Sequence, residues 1–370
     1  MDSVFPGYLK GESNDKFLVS PVINSYMTAS LLNKEWISDV TFEDKLKVID
    51  MCGIDPTYYP IGDLSELFGG FEPLGWECRV MYQDDNRKEY EYVLHTDKGD
   101  LTRKIKEIKN NAPMQTESPI KSESDYDKLI WWLRSARKQA NRITSRYEGF
   151  KKKVDDKGLL VFQVPLPFEL MWWVSREEPI YHLFDWPKTL KKFEEEAMET
   201  LVVFIEAAVK GGADLIFFGS VGTELYSEDI FVEHMLEDSI LVSKLAKKLN
   251  VLSIFHCCGK AKKWIDTGYI NEISPDIFEG LTPAPLGDID NIRTYREKLD
   301  KSIVTRGGVD LSTLLNGGLD DIRAQVEKVF EDYRDYKHLI AGTCEILYGT
   351  SLNNIKGLVN IITDLDKRFN

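Results

Sequence analysis

His256, Cys258 and Cys344 are the side chains of this sequence best suited to metal chemistry. The first two stand in Phe255-His256-Cys257-Cys258-Gly259, directly after the apolar run Val251-Leu252-Ser253-Ile254-Phe255. The third stands in Gly342-Thr343-Cys344-Glu345, after His338-Leu339-Ile340-Ala341. If each run is a strand, residues two apart share a face, so His256 and Cys258 point together and Cys257 points away. One imidazole and two thiolates suit zinc, and three protein ligands with one open position define a catalytic rather than a structural zinc site. A plainer reading stays open at this point. Buried cysteines also serve as small hydrophobes, here beside a capped core histidine.

The elements that must position these residues alternate short apolar runs with longer amphipathic stretches, the mark of parallel β/α units. Strands are predicted at Leu159 to Val164, Asp214 to Gly219, Val251 to His256, Ile277 to Gly280, Ser302 to Thr305 and Leu339 to Gly342. Phe17 to Val22 and Thr57 to Gly62 supply two more near the N-terminus. Helices are predicted over Thr189 to Lys210, which ends at Gly211-Gly212 as a helix C-terminus should, over Phe231 to Leu249 and over Asp320 to Tyr333. Eight parallel strands in chain order are the count for an α/β protein of the (β/α)8 TIM-barrel class, whose active sites lie at the C-terminal ends of the strands. His256 and Cys258 end the fifth strand and Cys344 follows the eighth, so all three face one mouth.

One segment breaks that rhythm. Trp76 to Gln83 and Glu89 to Thr96 alternate in character around Asp84-Asp85-Asn86, which reads as a β-hairpin excursion laid over the barrel. Lys121 to Lys153 is charged and helical, with Trp131-Trp132 packing it back and Lys151-Lys152-Lys153 as a solvated loop. The expectation is a single barrel domain over residues 1–370, with the hairpin and helical insertion at about 70–155.

Composition narrows the function classes. A net charge of −14 argues against a nucleic-acid partner, whose phosphates must be neutralised by Lys and Arg. No apolar stretch of about 18 residues is present, so no membrane span is expected. The start Met1-Asp2-Ser3-Val4-Phe5-Pro6 lacks a basic region followed by an apolar one, so no signal peptide is expected. Five scattered cysteines read as reduced thiols in a cytoplasmic protein rather than as a disulfide scaffold.

Further motifs give these features a family context. Glu279-Gly280-Leu281-Thr282-Pro283-Ala284-Pro285-Leu286-Gly287-Asp288, Gly307-Gly308-Val309-Asp310, the helix start Gly318 to Ile322 and the closing Ser351-Leu352-Asn353-Asn354-Ile355 resemble the uroporphyrinogen decarboxylase superfamily. The chain is most similar to the zinc-dependent methyltransferases within it that work with corrinoid proteins. That resemblance implies zinc on a His-x-Cys pair and a distant Cys, here His256, Cys258 and Cys344. It implies methyl transfer between a corrinoid and a small substrate such as a thiol, tetrahydrofolate or a methoxylated compound. No Asp-x-His-x-x-Gly corrinoid signature surrounds His95, His182, His234, His256 or His338, so the corrinoid is expected on a separate protein. The decarboxylase branch carries an arginine-rich segment after the first strand, suited to clamping carboxylates. The corresponding Ile23-Asn24-Ser25-Tyr26-Met27-Thr28-Ala29 has no Arg, although the family's Asp near the second strand matches Asp63. A decarboxylase of porphyrin biosynthesis with Asp63 as its central acid is therefore the alternative enzyme. A non-catalytic zinc-binding docking protein is the alternative of another class.

Other residues divide between functional and structural readings. Glu279 ends the sixth strand, as a displaceable fourth ligand or as a carboxylate bonding backbone and solvent. Glu224 follows the fourth strand as a second such candidate. Asp310 is expected to cap the next helix. Tyr26, Met27 and Trp172-Trp173 line an apolar substrate pocket or belong to the core. Gly307-Gly308 lacks the pattern of a phosphate loop.

Overall fold

The computed structural model describes residues 8, 17–60, 76–111, 113–155, 157–175, 178–220, 223 and 225–369. In chain order its strands are β1 (Phe17–Val19), β2 (Thr57–Tyr58), β3 (Trp76–Gln83), β4 (Arg87–Leu94), β5 (Leu101–Ile108), β6 (Met114–Glu117), β7 (Leu159–Gln163), β8 (Leu215–Ser220), β9 (Leu252–Cys257), β10 (Ile277–Glu279), β11 (Val304–Val309) and β12 (His338–Gly342). Eight of them are parallel and pair in the order β1-β12-β11-β10-β9-β8-β7-β2. The two ends of this sheet meet. Asp55 N donates to Val19 O at 2.8 Å, Val19 N donates to the Asp55 carboxylate at 2.7 Å, and Ser20 Oγ lies 3.2 Å from Thr57 Oγ1. The strands thus follow one another around a ring with helices outside, the (β/α)8 architecture.

Alternation along the strands sorts side chains into two cores. Leu18, Val161, Leu215, Ile254, Ile277, Val304 and Leu339 pack together inside the ring. Phe162, Ile216, Phe218, Phe255, Cys257, Phe278 and Ile340 turn outward into the larger core beneath the helices. The helix Pro187–Lys210 starts with proline in its first turn, where a missing N–H costs nothing, and ends at Gly211. The helical run from Glu228 to Lys248 carries a π-turn at Val232–Leu236, which the apolar periodicity did not foretell. Among the described residues no helix is long and apolar enough to cross a membrane.

The expected hairpin is β3 and β4, turned by Asp84, whose carboxylate accepts from Asn86 N at 2.8 Å and Arg87 N at 2.7 Å. It continues through β5 and β6 into a four-stranded antiparallel sheet. The extra strands escape a reading by apolar alternation because the inward positions of β5 are Leu101, Arg103, Ile105 and Glu107. Arg103 and Glu107 are only 2% and 1% exposed. The guanidinium lies over the Tyr92 ring at 4.6 Å, and Glu107 accepts from Ser38 N at 3.0 Å and Ser38 Oγ at 2.8 Å.

Two expectations need correction. Lys151, Lys152 and Lys153 form the last turn of the helix Ala140–Val154 rather than a loop, and Lys151 Nζ is 2.9 Å from the Asp214 carboxylate. The seventh parallel strand starts later and runs further than Ser302 to Thr305, through Gly307 and Gly308 to Val309. Its two glycines have φ of +127° and +102°, and a Cβ on Gly308 would sit 2.8 Å from Val329 Cγ2. Only glycine fits that strand end without strain.

Candidate metal centre

β9 delivers His256 to the inside of the ring and Cys257 to the outside, so Cys257 is 2% exposed among outer-core residues. Cys258 follows one residue past the strand, and Cys344 lies two residues past the end of β12. The His256 Nε2 to Cys344 Sγ separation is 3.9 Å. Ligand atoms of His256, Cys258 and Cys344 all lie within 4.8 Å of one another. A tetrahedral zinc with ordinary Zn–S and Zn–N bonds sets such atoms about 3.5–3.8 Å apart, so small side-chain rotations would close the shell. The donor set and its spacing fit zinc. Phe217 stacks on the His256 ring at 5.5 Å and 29°. Gly219 is the β8 residue opposite His256, where a Cβ would stand 2.0 Å from the His256 carbonyl oxygen, so glycine permits the two backbones to close up there.

Behind the cluster lies a charged layer. His256 Nδ1 is 3.2 Å from Glu279 Oε1, an ion-pair distance with the N–H off the line to the oxygen. Glu279 Oε2 is 3.2 Å from Arg306 Nη1, and Arg306 also donates to Ser20 O and Tyr59 Oη. Burial pushes the Glu279 carboxyl up, but the Arg306 charge and the His256 contact outweigh it and hold the pKa below the usual range. Burial pushes His256 down, but contacts with Cys344 and Glu279 hold its pKa well above the usual range. The Cys258 sulfur, and then burial, push the Cys344 thiol up. A bound divalent cation would require the neutral imidazole and deprotonated thiols, so uptake of the metal would release protons. Beside it, burial raises the Glu345 carboxyl, which accepts from Asn24 Nδ2 at 2.5 Å.

The structure therefore brings His256, Cys258 and Cys344 together. It places Glu279 on the Nδ1 side of His256, away from the three sulfur and nitrogen donors that converge. Asp63 and Glu224 lie outside the described residues. Asp310 caps the helix Leu311–Asn316 by accepting from Thr313 N at 2.8 Å, as expected. Met27 is fully buried in the outer core. Arg306 and Tyr59 are the site residues that reading the sequence missed. A signal was present for the first: Arg306 stands two residues after Val304, the spacing of an inward position.

Residues 105–365 match the family described as uroporphyrinogen decarboxylase (URO-D). The chain belongs to that family. Among solved structures, this URO-D barrel is similar to a methyltransferase from Methanosarcina mazei, with 97% of each chain covered, a TM-score of 0.69 and 18% identity. The two share their fold across nearly their whole length. A B12-independent methionine synthase from Shewanella sp. W3-18-1, solved in complex with selenomethionine, is similar over 61% of this chain and 66% of its own, with a TM-score of 0.42 and 13% identity. No curated protein matches the sequence.

Proposed function

We propose that this URO-D family protein is a zinc-dependent methyltransferase that moves a methyl group between a corrinoid on a separate protein and a small substrate. The substrate would be a thiol, tetrahydrofolate or a methoxylated compound. The convergence of His256, Cys258 and Cys344 at the C-terminal mouth of the barrel carries the proposal. These residues would hold the zinc, which when bound activates a coordinated thiol or polarises an ether oxygen. Phe217 packs one face of the His256 ring and excludes water from it. Cys258 and Cys344 are only partly buried, so reactants can reach that side of the cluster from the mouth. Leu225, Leu286, Leu347 and Tyr348, on loops that follow β8, β10 and β12, are 52%, 49%, 41% and 42% exposed. Such an apolar rim suits a protein partner seated over the mouth.

Decarboxylation of a porphyrin with many acid groups is less well supported. It calls for guanidinium groups facing the substrate. The helix Ser25–Leu32, which follows β1, has none, and Arg306 is spent on buried protein partners. The test is the cobalt absorbance of a free or protein-bound corrinoid, with thiol, folate and methoxyaromatic candidates supplied in turn to zinc-loaded and chelated protein. Zinc-dependent change in the cobalt spectrum is expected. No change with any candidate, together with release of carbon dioxide from uroporphyrinogen, would establish the decarboxylase instead. Tight zinc binding with neither activity would favour the docking protein.

A further inference from the structure

We infer that Arg306 is a positioning residue for the metal centre, acting through Glu279 on His256; the inference rests on the zinc reading of that centre. His256, Glu279 and Arg306 are register partners across β9, β10 and β11, and so form one rung of the barrel wall. The rung two residues earlier on the same strands is Ile254, Ile277 and Val304, which is ordinary apolar core. The chain thus sets a fully buried guanidinium and carboxylate, 0% and 2% exposed, directly above a rung filled with aliphatic side chains. Burying such a pair costs more than another aliphatic rung would, so stability alone does not account for it.

The geometry supplies the reason. Arg306 Nε and Nη2 donate to Ser20 O at 3.0 and 2.5 Å, and Nη1 donates to Tyr59 Oη at 2.8 Å. These bonds fix the planar guanidinium against the loops that follow β1 and β2. The same Nη1 also stands at ion-pair distance, 3.2 Å, from Glu279 Oε2, and Glu279 Oε1 stands 3.2 Å from His256 Nδ1. With its second nitrogen facing a fixed acceptor, the ring presents Nε2 to Cys344. Partners of this kind behind a ligating histidine are worth about 10–100-fold in metal affinity.

Zinc affinity is measured by competition with a chromophoric chelator, and ligand geometry by the visible spectrum of the cobalt(II)-loaded protein. Arg306→Gln and Glu279→Gln should each weaken zinc binding by about 10–100-fold and shift the cobalt bands. The double variant, which leaves no unpaired charge in the core and protects against loss of folding, should bind no more weakly than either single one, because all three cut one path. Arg306→Lys, which keeps the charge but not the fork, should recover part of the affinity. Wild-type affinity and spectrum in Arg306→Gln, or in the double variant where the single one fails to fold, would overturn the inference and leave the zinc reading intact. A wild-type protein that takes up no zinc would overturn the zinc reading, and the inference with it.

Discussion

Acid should destabilise this protein through His338, at the start of the strand that leads to Cys344. The ring is 0% exposed and stacks on Tyr333 at 3.6 Å and 10°. Its Nε2 lies 3.1 Å from Gly307 O, which only accepts, so Nε2 carries the proton and Nδ1, 2.9 Å from Thr305 Oγ1, accepts from the hydroxyl. The neutral ring is fully satisfied. Burial is the chief cause that lowers its pKa from 6.5 to about 3. A depressed folded-state pKa means that the contribution is whole above the unfolded value near 6.5 and is lost as the pH falls towards 3, because only the unfolded chain takes up the proton. Between about pH 7.5 and about pH 5 this amounts to about 2 kcal/mol, one and a half pH units at about 1.4 kcal/mol each. Asp238, raised to about 7 chiefly by burial, tilts the profile the other way, since its folded form keeps a proton that the unfolded form has lost. Comparing wild type with His338→Gln cancels that slope. Urea unfolding at the two pH values is the assay. The variant should start less stable but lose about 2 kcal/mol less than wild type on acidification. Equal losses in the two proteins would refute the assignment of that slope to His338.

Three further outcomes test the site. Cys258→Ala and Cys344→Ala should each cost about 3 kcal/mol of metal affinity, roughly 100-fold, measured by chelator competition. Cys257→Ala should bind zinc like wild type and lose only about 1 kcal/mol of stability in urea, since its thiol packs in the outer core. Gly219→Ala should cost about 1–3 kcal/mol and weaken zinc binding as well, because its new Cβ would push on the His256 carbonyl. Thermal unfolding with and without zinc separates those two effects.

The barrel was legible because its strands are short apolar runs with period-two sorting, separated by helices of the length a crossover needs. The His256-x-Cys258 pair was legible for the same reason: a strand end fixes which neighbours share a face, and β9 ends at Cys257. In two places where reading the sequence fell short, charge stood on a buried face. Arg103 and Glu107 broke the alternation of β5 and hid half of the antiparallel sheet. The apolar run before Arg306 ended at Thr305, so the guanidinium read as lying past the strand, when β11 carries it inside the barrel.

That failure has a common physical root. A buried charge is tolerable only where partners from distant parts of the chain are already fixed around it, and a linear pattern does not display them. Arg306 needs Ser20 and Tyr59, 286 and 247 residues away, and Glu345 needs Asn24, 321 residues away. The parallel pairing of β1 beside β12, from Phe17 opposite His338 to Val19 opposite Ile340, carries Ser20 and Asn24 up to the mouth, and closure of the ring between β1 and β2 brings Tyr59 there. The candidate metal ligands stand on β9 and just past the ends of β9 and β12, but the polar layer behind them is complete only with β1 and β2 beside them. Zinc affinity should therefore depend on the docking of β1 and β2 as well as on His256, Cys258 and Cys344.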